Sequence, residues 1–189
     1  MSDQQTVPER PASRYQRTVA GGVGSMIVLI ALVLAFVVFR GVFRDNGQVE
    51  QEPVDYLAAV QAAQQAGADL VYPPTLPKGW TATSIAYQPG ERPAWGIGML
   101  TDDGRFVGVR QEDTGLETML EKYVDADPVE GDTVTIDSPL AQQWQEWSDA
   151  GGDHAYAASY GDDEVLVFGS ASTDDLRAVV ESLTDAPVS

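Results

Sequence analysis

Twenty consecutive residues, Ala20 to Phe39, carry no ionisable side chain, and Arg40 closes the run. At about 1.5 Å of rise per residue, a helix of that length reaches roughly 30 Å, the thickness of a bilayer's hydrocarbon core. A cleaved export signal has an apolar core of about 7–15 residues followed by a small-x-small site. Val37-Val38-Phe39-Arg40 offers no such site. A helix buried in a soluble domain would show a polar face at helical spacing, which this run lacks. Residues 19–40 are therefore expected to form a retained transmembrane helix, anchored in lipid by side chains such as Ala20, Val28, Leu32 and Phe39. Gly21 and Ser25, spaced i, i+4, offer a small-residue face on which another helix could pack.

Arg10, Arg14 and Arg17 precede the run, and Arg40 and Arg44 follow it. Lys and Arg near span ends favour the cytoplasmic side, whereas a long following domain translocates largely regardless of its charge. The expected topology places the N-terminus in the cytoplasm and the body of the protein outside. Residues 1–18 then form a disordered cytoplasmic tail, 41–52 a solvated linker, and 53–189 a single extracytoplasmic domain of ordinary size. From Asp45 onward six basic residues face 27 acidic ones, a formal charge near −21 against −18 for the whole chain. Such a surface repels nucleic acid and anionic headgroups, and suits cations, basic protein patches or neutral ligands. The absence of cysteine excludes disulfides, thiolate-ligated zinc and thiol catalysis. No cofactor is expected.

Pro53 suits a first helical position, and the Ala- and Gln-rich stretch after it favours helix, with a thin stripe of Val54, Leu57, Val60 and Leu70. From Trp80 the texture becomes strand-like. Residues 81–88 are β-branched and aromatic, and 95–111 read as a hairpin turning at Asp103-Gly104. "TGLETMLEKYV" is an amphipathic helix with Leu116, Met119, Leu120 and Tyr123 as its stripe. "DTVTID" and "AQQWQEWSD" read as two further strands. A second hairpin, turning at Asp162-Asp163, and a second helix, N-capped by Thr173, follow. Hairpin-then-helix thus recurs at 94–124 and 154–183, a candidate pseudo-repeat. The expected fold is α+β: an antiparallel sheet with helices on one face.

Lys78-Gly79-Trp80 with Thr83-Ser84, Trp95-x-x-Gly98, Gly104-x-Phe106-Val107-Gly108-x-x-Gln111, Trp144, Gly169-Ser170-Ala171-Ser172 and Ser182-Leu183 can be taken together. In these residues the chain resembles an actinobacterial family catalogued as domain of unknown function 4245. The layout is also similar: a short arginine-bearing tail, one span, then a domain of this length. The resemblance implies an envelope location with the domain outside. It implies no activity and carries over no functional residues.

Chemistry has few candidates. His154 is the only histidine, and a Ser–His–Asp unit would have to join it to a serine such as Ser159 or Ser170. No G-x-S-x-G elbow precedes any serine, and His154 follows a "SDAGGD" loop, so exposure is the simpler reading. The pairs Asp102-Asp103, Asp162-Asp163 and Asp174-Asp175 sit at turns or at a helix start, where they serve turn chemistry and the helix dipole. Asp125, Asp127, Glu130 and Asp132 begin like a calcium loop, but Glu130 stands where that loop needs glycine. They are weak metal candidates, and no metal is expected. Gly96-x-Gly98 lacks the helix that a nucleotide loop requires and marks close strand packing. Trp80, Trp95 and Trp144 read as core. Trp147, three residues from Trp144 on a strand, faces the other way and is the candidate contact residue for a ligand or partner.

The functional expectation is a non-enzymatic, membrane-anchored envelope domain that binds a protein partner or a small apolar ligand. The alternatives are a carboxylate-based envelope hydrolase and a calcium-dependent structural domain.

Overall fold

A computed structural model describes residues 52–188, so the expected span at Ala20–Phe39 lies outside the described residues. Among the described residues no helix is long and apolar enough to cross a membrane. The described chain builds one antiparallel sheet of seven strands: β1 (Thr81–Gln88), β2 (Ala94–Leu100), β3 (Phe106–Glu112), β4 (Val129–Thr135), β5 (Gln143–Ser148), β6 (His154–Tyr160) and β7 (Asp163–Gly169). Their order in space is β1-β2-β3-β7-β6-β5-β4, so the two hairpins meet where β3 pairs with β7. Three helices complete the fold: α1 (Tyr56–Gln65), α2 (Leu116–Tyr123) and α3 (Thr173–Ser182).

Both hairpins follow from local chemistry. Leu100 pairs with Phe106 across a loop that contains Asp103 and Gly104, closed by a bond from the Thr101 amide to the Arg105 carbonyl, 2.9 Å. The second turn is tighter than expected and one residue earlier. Tyr160 pairs with Asp163, leaving Gly161 and Asp162 as a two-residue loop. Gly161 has φ +63° at the first central position, where that loop demands glycine, and Asp163 opens β7 instead of sitting in the turn.

Period-two alternation sends the large side chains to two faces. Trp95, Ile97, Met99, Val107, Val109, Trp144, Tyr156, Val165 and Val167 are buried on one face, together with Tyr56, Val60 and Ala63 of α1 and Leu176, Val179 and Val180 of α3. Ala155, Ala157, Leu166 and Phe168 form the other face, under Met119 and Leu120 of α2. The expectation of helices on one face is therefore corrected: they cover both. The hairpin–helix order does recur, but its two helices lie on opposite sides. In a strand a difference of one residue reverses the side, and the two exits differ: β3 leaves through Asp113–Gly115, β7 through the positive-φ Gly169. Gly96 and Gly98 allow close packing, since an added Cβ would fall 2.5 Å from the Arg110 side chain and 2.3 Å from Ser84 Oγ, respectively.

Helix starts also differ from expectation. Pro53 precedes the first helix, which begins at Tyr56 after Asp55, whose carboxylate accepts the Ala58 amide at 3.0 Å. Ser172, not Thr173, caps α3. Its hydroxyl accepts the Asp175 amide at 3.1 Å and donates to the Asp175 carboxylate at 2.5 Å, at the positive end of the helix. Ser172→Ala is expected to lower stability by about 1 kcal/mol, read from the urea midpoint at unchanged slope. Thr173→Ala, which removes no cap bond, is expected to shift it by less than half as much.

Candidate functional site

The residues named for catalysis are dispersed. His154 does not sit at a loop tip; it opens β6, half-buried, paired with Ser148 and Gly169 in the ladder. Ser159 is five residues further along that strand, roughly 17 Å away at extended spacing, and its hydroxyl donates to Glu164 at 2.9 Å. Ser170 Oγ lies nearer but accepts the Phe106 amide at 3.1 Å. Among the described residues His154 bonds to neither serine. The aspartate pairs do not converge on a site either. Asp103 accepts the Thr101 hydroxyl, Asp163 accepts Gln111 Nε2 at 2.7 Å, and Asp174 and Asp175 lie in the first turn of α3.

The candidate calcium residues do not converge. Asp125 Oδ1 accepts the Asp127 amide at 3.0 Å, while Glu130 and Asp132 lie exposed on the edge strand β4. Among the described residues no three His, Asp or Glu side chains gather as metal ligands. What the segment does instead is fold the chain back beside α2.

Trp144 and Trp147 face opposite ways, as their spacing on β5 requires. Trp144 is fully buried among the α1 and α3 contacts, and its indole N–H donates to the Ala141 carbonyl at 2.9 Å. Trp147 is half-buried on the α2 face, where it packs against the Met119–Phe168 cluster. Its Nε1 is enclosed and has no hydrogen-bond partner among the described residues. An enclosed donor without an acceptor costs about 1–3 kcal/mol, so a native chain rarely retains one without a reason.

Trp147 lines a groove of about 600 Å³ with Leu116, Leu120, Ala126 and Pro128, and Glu117, Glu121 and Asp127 complete the lining. The wall formed by α2 is held firmly. Tyr123 stacks on Phe168 at 5.5 Å, Arg110 and Lys122 each lie 4.7 Å from the Tyr123 ring centre, and the Tyr123 hydroxyl donates to Glu112. Burial, then the Glu112 bond, pushes the Tyr123 phenol up, while Tyr123, followed by the Glu112 charge, keeps Lys122 protonated against desolvation. Val129, 60% exposed beside Pro128, pairs with Ser148 and so lies on the opposite face of the sheet edge from Trp147.

A second hollow, of about 640 Å³, lies at the other end of the sheet between the Ala66–Leu70 turn, the Tyr87–Pro93 loop and Tyr160–Asp163. Tyr160 donates to Asp185 and its pKa is pushed up to about 12, first by that bond, then by burial and by the charges of Asp185 and Asp69. A phenol held neutral more strongly in the folded chain adds stability that is fully present below about pH 10 and is lost as pH rises toward 12. Tyr160→Phe is expected to flatten the fall in urea midpoint across that window. An unchanged slope would remove the assignment.

Sequence reasoning reached Trp147 but missed its neighbours. Leu116 and Leu120 read as core stripe, and nothing in the local pattern distinguishes a helix side chain that half-covers a groove from one fully under the sheet. Asp127 reads as part of a metal-loop pattern, whereas in the structure it lines the groove with Pro128.

A seven-stranded antiparallel sheet with helices on both faces, carrying an apolar groove beside one of them, defines an α+β domain. The chain belongs to the family described as protein of unknown function (DUF4245), whose model matches residues 14–183. Comparison with curated proteins finds no match.

Proposed function

We propose that this chain is a single-pass, membrane-tethered module of an actinobacterial cell envelope, with its N-terminus in the cytoplasm and its acidic domain outside. In this reading it is not an enzyme, and the groove at Trp147 binds a protein partner or a small apolar ligand. The observation that carries the reading is the groove itself: an apolar floor around a half-buried tryptophan whose enclosed N–H has no partner among the described residues. Its carboxylates stand at the rim over apolar side chains, a lining suited to contact rather than to proton transfer. The uncharged run Ala20–Phe39 supports the tether, and the arginines before it support the orientation.

The test is a photo-crosslinking residue placed at position 147 of the full chain in living cells, beside a control at Ser159. An adduct specific to position 147 is expected. Equal yields at both positions, or none at 147, would remove the groove from the function.

A further inference from the structure

Resting on the reading of the Trp147 groove as the binding site, we propose that its occupant is a cationic, amphipathic segment of another protein. Apolar side chains of that segment would seat on Leu116, Leu120, Pro128 and Trp147, and its lysines or arginines would face Glu117, Glu121 and Asp127. Charge complementarity carries the choice. All three rim carboxylates are exposed, and the groove lining contains no basic residue. Lys122, the basic residue of α2, is turned to Glu112 at 3.3 Å and to the Tyr123 ring. Glu117 and Glu121 stand one helical turn apart as like charges, a repulsion that a bound cation relieves. A formal charge near −21 from Asp45 onward draws cations toward the domain and repels an anionic amphiphile such as a fatty acid. The enclosed Trp147 indole N–H has no acceptor among the described residues.

The experiment uses the full chain in nanodiscs of neutral lipid with ¹⁵N-labelled indoles, whose signals come from Trp80, Trp95, Trp144 and Trp147. Two amidated peptides are compared, one alternating leucine pairs with lysine pairs, the other carrying glutamate in place of every lysine. The lysine peptide is expected to bind about tenfold or more tightly than its glutamate counterpart, the scale of three exposed ion pairs. It is also expected to shift the Trp147 indole signal and leave that of Trp144 in place. Neutralising the rim with Glu117→Gln, Glu121→Gln and Asp127→Asn should reduce the preference to about twofold. A charge-matched control, Asp102→Asn, Asp137→Asn and Asp162→Asn, should keep most of it. Equal loss in rim and control variants, or equal binding of both peptides at Trp147, would overturn the cationic occupant while leaving the groove as a site. Failure of either peptide to move the Trp147 signal, together with absence of the crosslink at position 147, would overturn the groove itself.

Discussion

Gly169→Ala is expected to lower the melting temperature of the domain by about 10 °C or more. Gly169 ends β7 at φ +145°, a backbone conformation that L side chains rarely adopt. The added Cβ would also lie 2.2 Å from the Phe106 carbonyl oxygen. That oxygen cannot retreat freely, because it accepts the Ala171 amide at 3.2 Å and so guides the chain from β7 into α3. Conformational strain of about 1–3 kcal/mol and overpacking of about the same size add together here. For a domain of this length about 3–5 kcal/mol corresponds to roughly 10–15 °C. Gly67→Ala is the control: φ is +90° there, but an added Cβ meets nothing within 4 Å. Its expected loss is confined to strain, about 1 kcal/mol. Thermal melts of the two variants, followed by near-ultraviolet circular dichroism, separate collision from conformation. Similar shifts for both would show that the Phe106 carbonyl yields.

Gln111→Leu, close in volume, is expected to cost about 3 kcal/mol through unsatisfied polar groups rather than lost packing. Gln111 is 4% exposed on β3, and its amide is fully used. Oε1 accepts the Val71 amide at 2.7 Å, and Nε2 donates to the Asp69 carbonyl at 3.0 Å and to Asp163 Oδ2 at 2.7 Å. Trp95 completes the clamp by donating Nε1 to the Val71 carbonyl at 3.0 Å. Together these bonds hold Leu70–Tyr72, a buried irregular segment, against the sheet. Leucine would leave the buried Val71 amide without its side-chain partner, at about 1–3 kcal/mol, and would remove the bonds to the Asp69 carbonyl and to Asp163, at about 1 kcal/mol each. Urea denaturation at unchanged slope measures the loss, and hydrogen exchange at the Val71 amide should accelerate in proportion. A loss below about 1 kcal/mol would mean that water reaches these groups.

What was legible in the chain was local. Asp103-Gly104 marked one hairpin, alternation through Trp95, Ile97 and Met99 marked its inner face, and the spacing of Trp144 and Trp147 separated them correctly. Each of those signals lies within a few residues of the structure it specifies. The pairing of β3 with β7 does not, since Val109 meets Val167 far along the chain. The side taken by each helix depends on such pairing, and so the local pattern implied helices on one face, whereas α2 lies on the face opposite α1 and α3. Gln111 shows the same limit. On its own strand it is one polar residue in an apolar pattern, and only the return of Asp69–Val71 and Asp163 to its side gives it partners. The groove was half legible. Period two exposed Trp147, but its walls come from α2 and from residues 126–128, brought beside β5 by the crossing that the local pattern left open.

The absence of cysteine permits one direct measurement of the central claim, that an apolar groove at Trp147 is displayed on the outer side of a membrane. Ala126, exposed on the groove wall, can be replaced in the full chain by Ala126→Cys and treated in intact cells with a membrane-impermeant maleimide. Rapid labelling of membrane-retained chain before lysis, slowed by the lysine peptide, is the expected result. Labelling only after the membranes are opened, or a labelled chain recovered free of membranes, would contradict it.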